Sequence, residues 1–198
     1  MTSSTPLRWG AAFLGAFLLL AGPVSAASPQ PLSPQPAADD LAPGLAVDYY
    51  YSFFRHIDEL IEWQDYKDGD PGEPILQLDY RVGMDKVLTS EVDNGVGAEI
   101  SGLIHLEKTG TYAFTAQSND GVRLEIGGVL VLEDPDVHAD RYSMMGPLEV
   151  TTPGWYPIKV LYFERKNTST LELYWQPPGQ DGSMELVPAE VFAHLKSE

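Results

Sequence analysis

Apolar and polar residues alternate along most of the chain after Met84, which is typical of β-strands buried on one face. The apolar positions that recur at every second residue form five groups: Ala98, Ile100, Gly102, Ile104 and Leu106; Tyr112, Phe114 and Ala116; Val122, Leu124 and Ile126; Tyr156, Ile158, Val160 and Tyr162; Leu171, Leu173 and Trp175. Because successive side chains of a strand point to opposite faces, each group indicates one strand with one inward face.

Turn-forming residues separate these strands. The separating segments are Lys108-Thr109-Gly110, Gly127-Gly128, Thr152-Pro153-Gly154 and Pro177-Pro178-Gly179. No helical pattern lies between the strands to carry parallel crossovers, so the sheets should be antiparallel. The pattern therefore predicts an all-β fold, an antiparallel β-sandwich or barrel.

One short N-terminal helix is predicted before these strands, between Asp48 and Tyr66. Phe53, Ile57, Leu60 and Ile61 have helical spacing there, and the glycine- and proline-containing segment 68–72 would end the helix. The aromatic start, Tyr49-Tyr50-Tyr51, is also compatible with a strand. These aromatic residues would either pack in the core or stack on sugars from an exposed surface.

The N-terminus has the pattern of a secretory signal peptide. Arg8 precedes an apolar run from Gly10 to Gly22, and Val24-Ser25-Ala26 gives a cleavage site after Ala26. Residues 1–26 are therefore predicted to be removed, which would place the product in the periplasm or outside the cell, without membrane insertion after cleavage; the alternative is an uncleaved signal anchor. Residues 27–43 contain five prolines and predict a linker, followed by one domain over residues 44–195.

Composition narrows the range of partners. The chain has 12 Lys and Arg against 29 Asp and Glu, a net charge of −17, and no cysteine. Nucleic acid and anionic membrane surfaces would be repelled by this charge. The domain must also fold without disulfides, which a chain of this length can do.

The sequence offers no recognisable catalytic template. It lacks the G-x-S-x-G and H-E-x-x-H motifs and any cysteine nucleophile. Pairs of carboxylates could in principle hydrolyse glycosidic bonds, but no pair stands out among 29 acids. We therefore predict that the protein is not an enzyme.

The segment Ser118-Asn119-Asp120-Gly121 is the first candidate site, because it joins two strands through amide, carboxylate and glycine. Asn, Asp and Gly are common turn residues, and oxygen ligands in a rigid turn also bind calcium. A second candidate is the acidic segment 133–141, which contains Asp134, Asp136, His138 and Asp140. If this segment folds over Asn119 and Asp120, its side chains would complete a metal site; otherwise it is an acidic surface loop.

Six motifs in order resemble one known family, the PA-fourteen domain, found in anthrax protective antigen, yeast flocculin adhesins and bacterial glycosidases. The motifs are Gly102, the segments 110–114, 118–124, 154–164 and 171–175, and the closing Val187-Pro188. The resemblance covers about residues 44–195, although Ser52 to Glu91 match weakly. It implies an antiparallel β-fold with a jelly-roll appearance.

The resemblance also implies a site. In family members that bind glycans, two adjacent acids joined by a cis peptide coordinate calcium, and calcium contacts sugar hydroxyls. The matching residues here are Asn119 and Asp120, followed by Gly121, so the first position carries an amide where the family has an acid. An amide oxygen remains a suitable calcium ligand.

Two functions follow as hypotheses. The first is a secreted, non-catalytic module that binds a glycan or cell-surface polysaccharide through Asn119, Asp120 and Gly121, assisted by calcium. The second is a structural or protein-interaction module that docks on an envelope protein without binding sugar.

Overall fold

The protein consists of two antiparallel β-sheets with a common hydrophobic core. The computed structural model describes Met1 and residues 28–196, so the predicted signal peptide lies, apart from Met1, outside the described residues. No helix in the described part is long and apolar enough to cross a membrane.

The described residues form fourteen strands, one α-helix and two short 3-10 helices. The strands are β1 (Leu41–Pro43), β2 (Ala46–Tyr51), β3 (Asp70–Pro71), β4 (Asp79–Gly83), β5 (Val96–Leu106), β6 (Gly110–Asn119), β7 (Val122–Ile126), β8 (Val129–Asp134), β9 (Arg141–Tyr142), β10 (Gly146–Val150), β11 (Gly154–Glu164), β12 (Ser169–Gln176), β13 (Glu185–Leu186) and β14 (Phe192–Leu195). The α-helix, α1, is Ile57–Gln64, and the 3-10 helices are Ala38–Asp40 and Ala189–Val191.

The first sheet has the strand order β1-β14-β5-β11-β7-β8, with β2 also paired to β5 and β3 paired to β2. The second has the order β10-β6-β12-β13, with β9 paired to β6 and β4 paired to β12. Neighbouring strands are antiparallel throughout, as in the eleven-residue register of β5 with β11. The predicted fold class, an antiparallel β-sandwich with one short helix, is confirmed.

The inward faces predicted from alternation form the core. Tyr112 and Phe114 of β6, Leu124 of β7 and Val160 of β11 are buried in one continuous cluster contributed by both sheets. Trp175 of β12 is 7% exposed, and its ring lies 5.7 Å from that of Tyr112, measured between centroids. Burial of these side chains provides most of the driving force for folding.

The predicted helix is shorter than its sequence pattern, and its aromatic start is a strand. Residues 46–51 pair with β5, so Tyr49 faces the main core while Tyr50 faces a second cluster under α1. Both sides of β2 are covered, which explains consecutive buried aromatic residues. The helix begins after His56, whose Nδ1 accepts a hydrogen bond from the Asp58 amide at 3.1 Å. Phe53, counted on the helical face in the sequence, precedes the helix and is exposed.

Part of the predicted proline-rich linker belongs to the domain. The Gln30 amide donates to Gly127 O and the Leu32 amide donates to Trp155 O, each at 2.9 Å. Pro29 is buried against Gly127, and β1 extends the first sheet by pairing with β14. Proline needs no ladder hydrogen bond of its own, which lets an extended segment of this composition lie along the sheet.

Candidate functional site

The candidate site lies at the end of the sandwich where β6 ends at Asn119. Three connections meet there: the turn from β6 to β7, the β8–β9 loop (residues 135–140) and the β11–β12 loop (residues 165–168). They enclose a pocket of about 340 Å³, which we call the loop pocket. It is lined by Asn119, Asp120, Val137, His138, Ala139, Arg165, Lys166, Asn167 and Thr168.

Asp120 lies at the base of this pocket and is only 3% exposed. Its Oδ1 accepts a hydrogen bond from the His138 amide at 3.0 Å, and its Oδ2 accepts one from the Arg165 amide at 2.7 Å. One carboxylate therefore ties two loops together. Burial raises the pKa of the Asp120 carboxyl above its ordinary value, and the two amide hydrogen bonds oppose that rise.

Asn119 is joined to Asp120 by a cis peptide bond, as the resemblance implies for glycan-binding members. Its Nδ2 donates to Asp140 Oδ1 at 3.0 Å and to Thr168 Oγ1 at 2.8 Å. Its backbone carbonyl accepts a hydrogen bond from the Tyr162 hydroxyl at 2.6 Å. The amide nitrogen of Asn119 thus contacts the loops, and Oδ1 is the side-chain atom left for a ligand.

Gly121 lies at a position where no side chain would fit. A Cβ at this position would meet the Phe163 ring and would lie 2.8 Å from Pro135 O. Ordinary Cβ contacts are longer than this, so the backbone of the turn packs directly on β11 and the β8–β9 loop. This close approach holds Asn119 and Asp120 in place.

The acidic segment packs over Asn119 and Asp120, but its side chains have different partners. Arg141 pairs with both carboxylate oxygens of Asp134, and His138 Nε2 lies 3.4 Å from Asp134 Oδ2. Asp140 accepts hydrogen bonds from Asn119 and Thr170. Asp136 forms a backbone bridge with His56 and is exposed.

These contacts bear on calcium binding. In the part of the chain that the structure describes, no three His, Cys, Asp or Glu side chains are arranged to hold a metal ion. Calcium takes six to eight oxygen ligands. The residues fit such an ion only in part, because Asp120 and Asn119 Oδ1 would need backbone, water or sugar oxygens to complete the set.

Glu164 is a buried carboxyl that the sequence reasoning missed. It is 0% exposed, its Oε2 accepts a hydrogen bond from the Gly95 amide at 3.1 Å, and its Oε1 has no hydrogen-bond partner among the described residues. Burial raises its pKa to about 7, with a further contribution from the charge of Asp120. The alternation of Tyr156, Ile158, Val160 and Tyr162 continues to Glu164, and that signal could have indicated its inward position.

A second pocket of about 600 Å³ adjoins the loop pocket and shares Val137 and Arg165 with it. Arg55, Arg141 and Asp136 complete its lining, and we call it the arginine pocket. Sequence reasoning missed it because Arg55 and Arg165 lie 110 residues apart in a chain whose overall charge is negative.

The fold agrees with a sequence comparison. A family model described as the PA14 domain matches residues 82–185, more than half of the chain. The chain belongs to the PA14 domain family, the PA-fourteen family predicted from its motifs. A search of curated proteins gave no match.

Solved structures of two PA14 domains and of a yeast adhesin domain have the same fold. The PA14 domain of the MpAFP antifreeze protein has a TM-score of 0.67 at 17% identity, covering 81% of this chain and 95% of the other. The PA14 sugar-binding domain from an RTX adhesin has a TM-score of 0.60 at 18% identity, covering 77% and 99%. The A domain of Epithelial Adhesin 6 from Candida glabrata, solved with Galb1-3GlcNAc, has a TM-score of 0.65 at 13% identity, covering 85% and 93%.

Proposed function

We propose that this PA14 domain is an exported, non-catalytic carbohydrate-binding module that contacts its glycan through the loop pocket. The observation that carries the proposal is the buried Asp120 carboxylate at the base of a pocket of about 340 Å³. Concave sites with a few fixed polar groups are typical of small-ligand binding.

The comparisons support this proposal at the level of fold. The RTX adhesin domain is described as sugar-binding, and the Candida glabrata adhesin domain was solved with a disaccharide. The acidic surface of this chain is compatible with neutral sugars, and the signal-peptide pattern of residues 1–26 supports export to the periplasm or the cell exterior.

Calcium assistance is the finer part of the proposal. Asp120 and the Oδ1 atom of Asn119 would hold the ion, which would supply positive charge for sugar hydroxyl oxygens. The hydrogen bonds of the His138 and Arg165 amides keep the Asp120 carboxylate oriented with or without a cation. Asp134, Asp136, His138 and Asp140 would act mainly by shaping and covering the pocket.

A glycan array probed with the mature domain, once in calcium and once in EDTA, tests the proposal. The strongest binder is then titrated by calorimetry against wild type, Asp120→Asn and Asp181→Asn. Asp181 is exposed and follows β12 at the opposite end of the sandwich. Asp181→Asn therefore removes one negative charge, as Asp120→Asn does, but at a position far from the pocket. We expect Asp120→Asn to weaken binding about tenfold or more, about 1.4 kcal/mol, and Asp181→Asn to leave it unchanged.

The array and the variants separate the parts of the proposal. Binding that survives EDTA would remove the calcium part and keep the glycan part. A folded Asp120→Asn protein that binds like wild type would place the sugar elsewhere.

An envelope protein-interaction module is the second candidate. Tyr142, Met144 and Met145 are exposed within four consecutive residues, and flexible methionine side chains often form protein-binding surfaces. This function would be favoured if the folded domain bound no glycan on the array and Met144→Ser with Met145→Ser abolished association with an envelope fraction.

A further inference from the structure

We propose that the arginine pocket binds an anionic substituent, a carboxylate or a sulfate ester, on the glycan that occupies the loop pocket. The inference rests on the proposed function and makes it more specific: the ligand would be an acidic saccharide.

The first observation is the composition of the pocket. Three of its five lining residues are arginines, in a chain with only 12 cationic residues and a net charge of −17. Asp136 is the only acid in the lining. Arginine presents a planar set of donors that matches the two oxygens of a carboxylate and also fits sulfate.

Two of the three arginines have no acidic partner. Among the described residues, no carboxylate oxygen lies within 4 Å of the guanidinium of Arg55 or Arg165, whereas Arg141 is paired with Asp134. The backbone amide of Arg55 donates to Glu59, but its side chain is exposed. Neither guanidinium therefore forms an ion pair with the described residues, although the charge of Arg165 acts on the nearby Asp120 carboxyl.

Arg165 carries a second signal. Its Nε atom is buried and has no hydrogen-bond partner among the described residues. A buried donor without a partner costs free energy, and a small rotation of the guanidinium toward the pocket would let an acceptor oxygen of a ligand recover it. Its backbone amide donates to Asp120, and its carbonyl accepts from the Gly95 amide at 3.2 Å, so the residue is fixed at the boundary of the two pockets.

The two pockets are adjacent, because Val137 and Arg165 line both. One saccharide that extends across Val137 and Arg165 would place its ring at Asp120 and its charged substituent between Arg55 and Arg165. Lys166, whose Nζ lies 5.4 Å from the centre of the Phe53 ring, adds another positive charge at the rim of the loop pocket.

The negative charge of the whole protein does not prevent this. At physiological ionic strength charges are screened over about 8 Å, so remote surface acids contribute little at the pocket. The local charges decide the interaction, and binding should weaken as salt increases.

The test is a glycan array containing neutral, uronic-acid and sulfated oligosaccharides. The strongest binder is then titrated beside its neutral form, methyl-esterified or desulfated, against wild type, Arg55→Gln, Arg165→Gln and Lys108→Gln. Lys108 is exposed in the turn between β5 and β6 at the opposite end of the sandwich. Lys108→Gln therefore removes one positive charge, as each arginine substitution does, but far from the pocket. Circular dichroism confirms that each variant is folded, and Arg165→Lys serves as a second variant if Arg165→Gln is not.

We expect acidic glycans to dominate the array, and each arginine change to weaken binding about tenfold. The neutral form should bind more weakly to wild type and be insensitive to the arginine changes, while Lys108→Gln should match wild type throughout. Whether carboxylate or sulfate glycans rank first identifies the anion.

Neutral glycans at the top of the array, bound equally by wild type and arginine variants, would overturn this inference and leave the proposed function intact. If no saccharide binds, the proposed function fails, and NMR titration with sodium sulfate decides the remaining question. Shifts at Arg55 and Arg165 that disappear in both Gln variants would retain an anion site; no shifts would eliminate it.

Discussion

The two ends of β6 are closed in opposite ways. Near Gly110 the sandwich is closed by aromatic rings, with Trp175 packed against Tyr112 and Phe114 at centroid distances of 5.7 and 6.3 Å. Near Asn119 it is closed by buried polar groups, including Asp120 and Glu164. Burial of apolar surface stabilises the first end, whereas burial of ionisable groups makes the second end sensitive to protons and cations. Stability and ligand binding should therefore be separable at the first end and coupled at the second.

The largest effect should come from Trp175→Ala at the aromatic end. Removing a buried indole from a packed cluster should lower the free energy of unfolding by about 3–5 kcal/mol. Denaturant unfolding measures the loss. Trp155→Ala is the matched control, because it also removes an indole but from a half-buried position, where the Trp155 ring centroid lies 4.8 Å from that of His105. A loss at Trp175 no larger than that at Trp155 would show that the aromatic cluster does not hold this end.

Glu164 should make the polar end less stable as pH rises. Its pKa in the folded protein, about 7, exceeds the ordinary value of 4.5, so between these values the folded state retains a proton that the unfolded state has lost. The free energy of unfolding therefore falls through this window, by about 3 kcal/mol. Below pH 4.5 Glu164 is protonated in both the folded and the unfolded state, so this loss of stability is absent.

Denaturant unfolding of wild type and Glu164→Gln from pH 4 to pH 8 measures this effect. The difference between the two proteins should shift by about 3 kcal/mol in favour of the variant as pH rises. Glu190 is exposed and forms no ion pair with the described residues, so Glu190→Gln should follow wild type at every pH. If the free energies of unfolding of wild type and Glu164→Gln changed in parallel with pH, Glu164 would ionise normally in the folded protein.

Asn119→Asp should destabilise the polar end in EDTA by about 2 kcal/mol. The change removes the hydrogen bond to Asp140 and places two carboxylates against each other. If calcium binds beside Asp120, millimolar calcium should restore the melting temperature. Combining Asn119→Asp with Asp140→Asn should restore stability without metal. If the Asn119→Asp variant loses the same stability relative to wild type with and without calcium, the ion does not bind at this position.

Deleting residues 28–34 should have the smallest effect, a loss of about 1–2 kcal/mol from two backbone hydrogen bonds and the burial of Pro29. Neither end of β6 should change, so glycan binding should persist. Thermal unfolding of the full mature chain and of the deletion variant measures the loss. Equal melting temperatures would return these residues to the role of a linker.

The contrast also changes the expectation for Asp120. As an exposed turn residue it would contribute little to stability, and the sequence alone favours that interpretation. In the structure it accepts hydrogen bonds from the backbone amides of His138 and Arg165, which lie 18 and 45 residues further along the chain in two different loops. These partners belong to irregular segments, and no periodic pattern in the sequence predicts which amide a side chain will meet.

Local alternation was enough to predict five of the fourteen strands, namely β5, β6, β7, β11 and β12, with their inward faces and antiparallel pairing. A strand with one covered face must repeat apolar residues with a period of two. The same reasoning, with the family motifs, selected Asn119, Asp120 and Gly121. It extended the helix too far, since Tyr49 and Tyr50 are buried on opposite sides of one strand by elements distant in sequence.

The tertiary structure alone decided how the loops combine. It brought Arg55 and Arg165 to one pocket, buried Glu164 under a neighbouring turn, and placed Pro29 against Gly127. Strand periodicity reports only whether a residue faces inward. The contacts of side chains in loops depend on which segments the sheet topology places side by side, and that information appears only when the whole chain is folded.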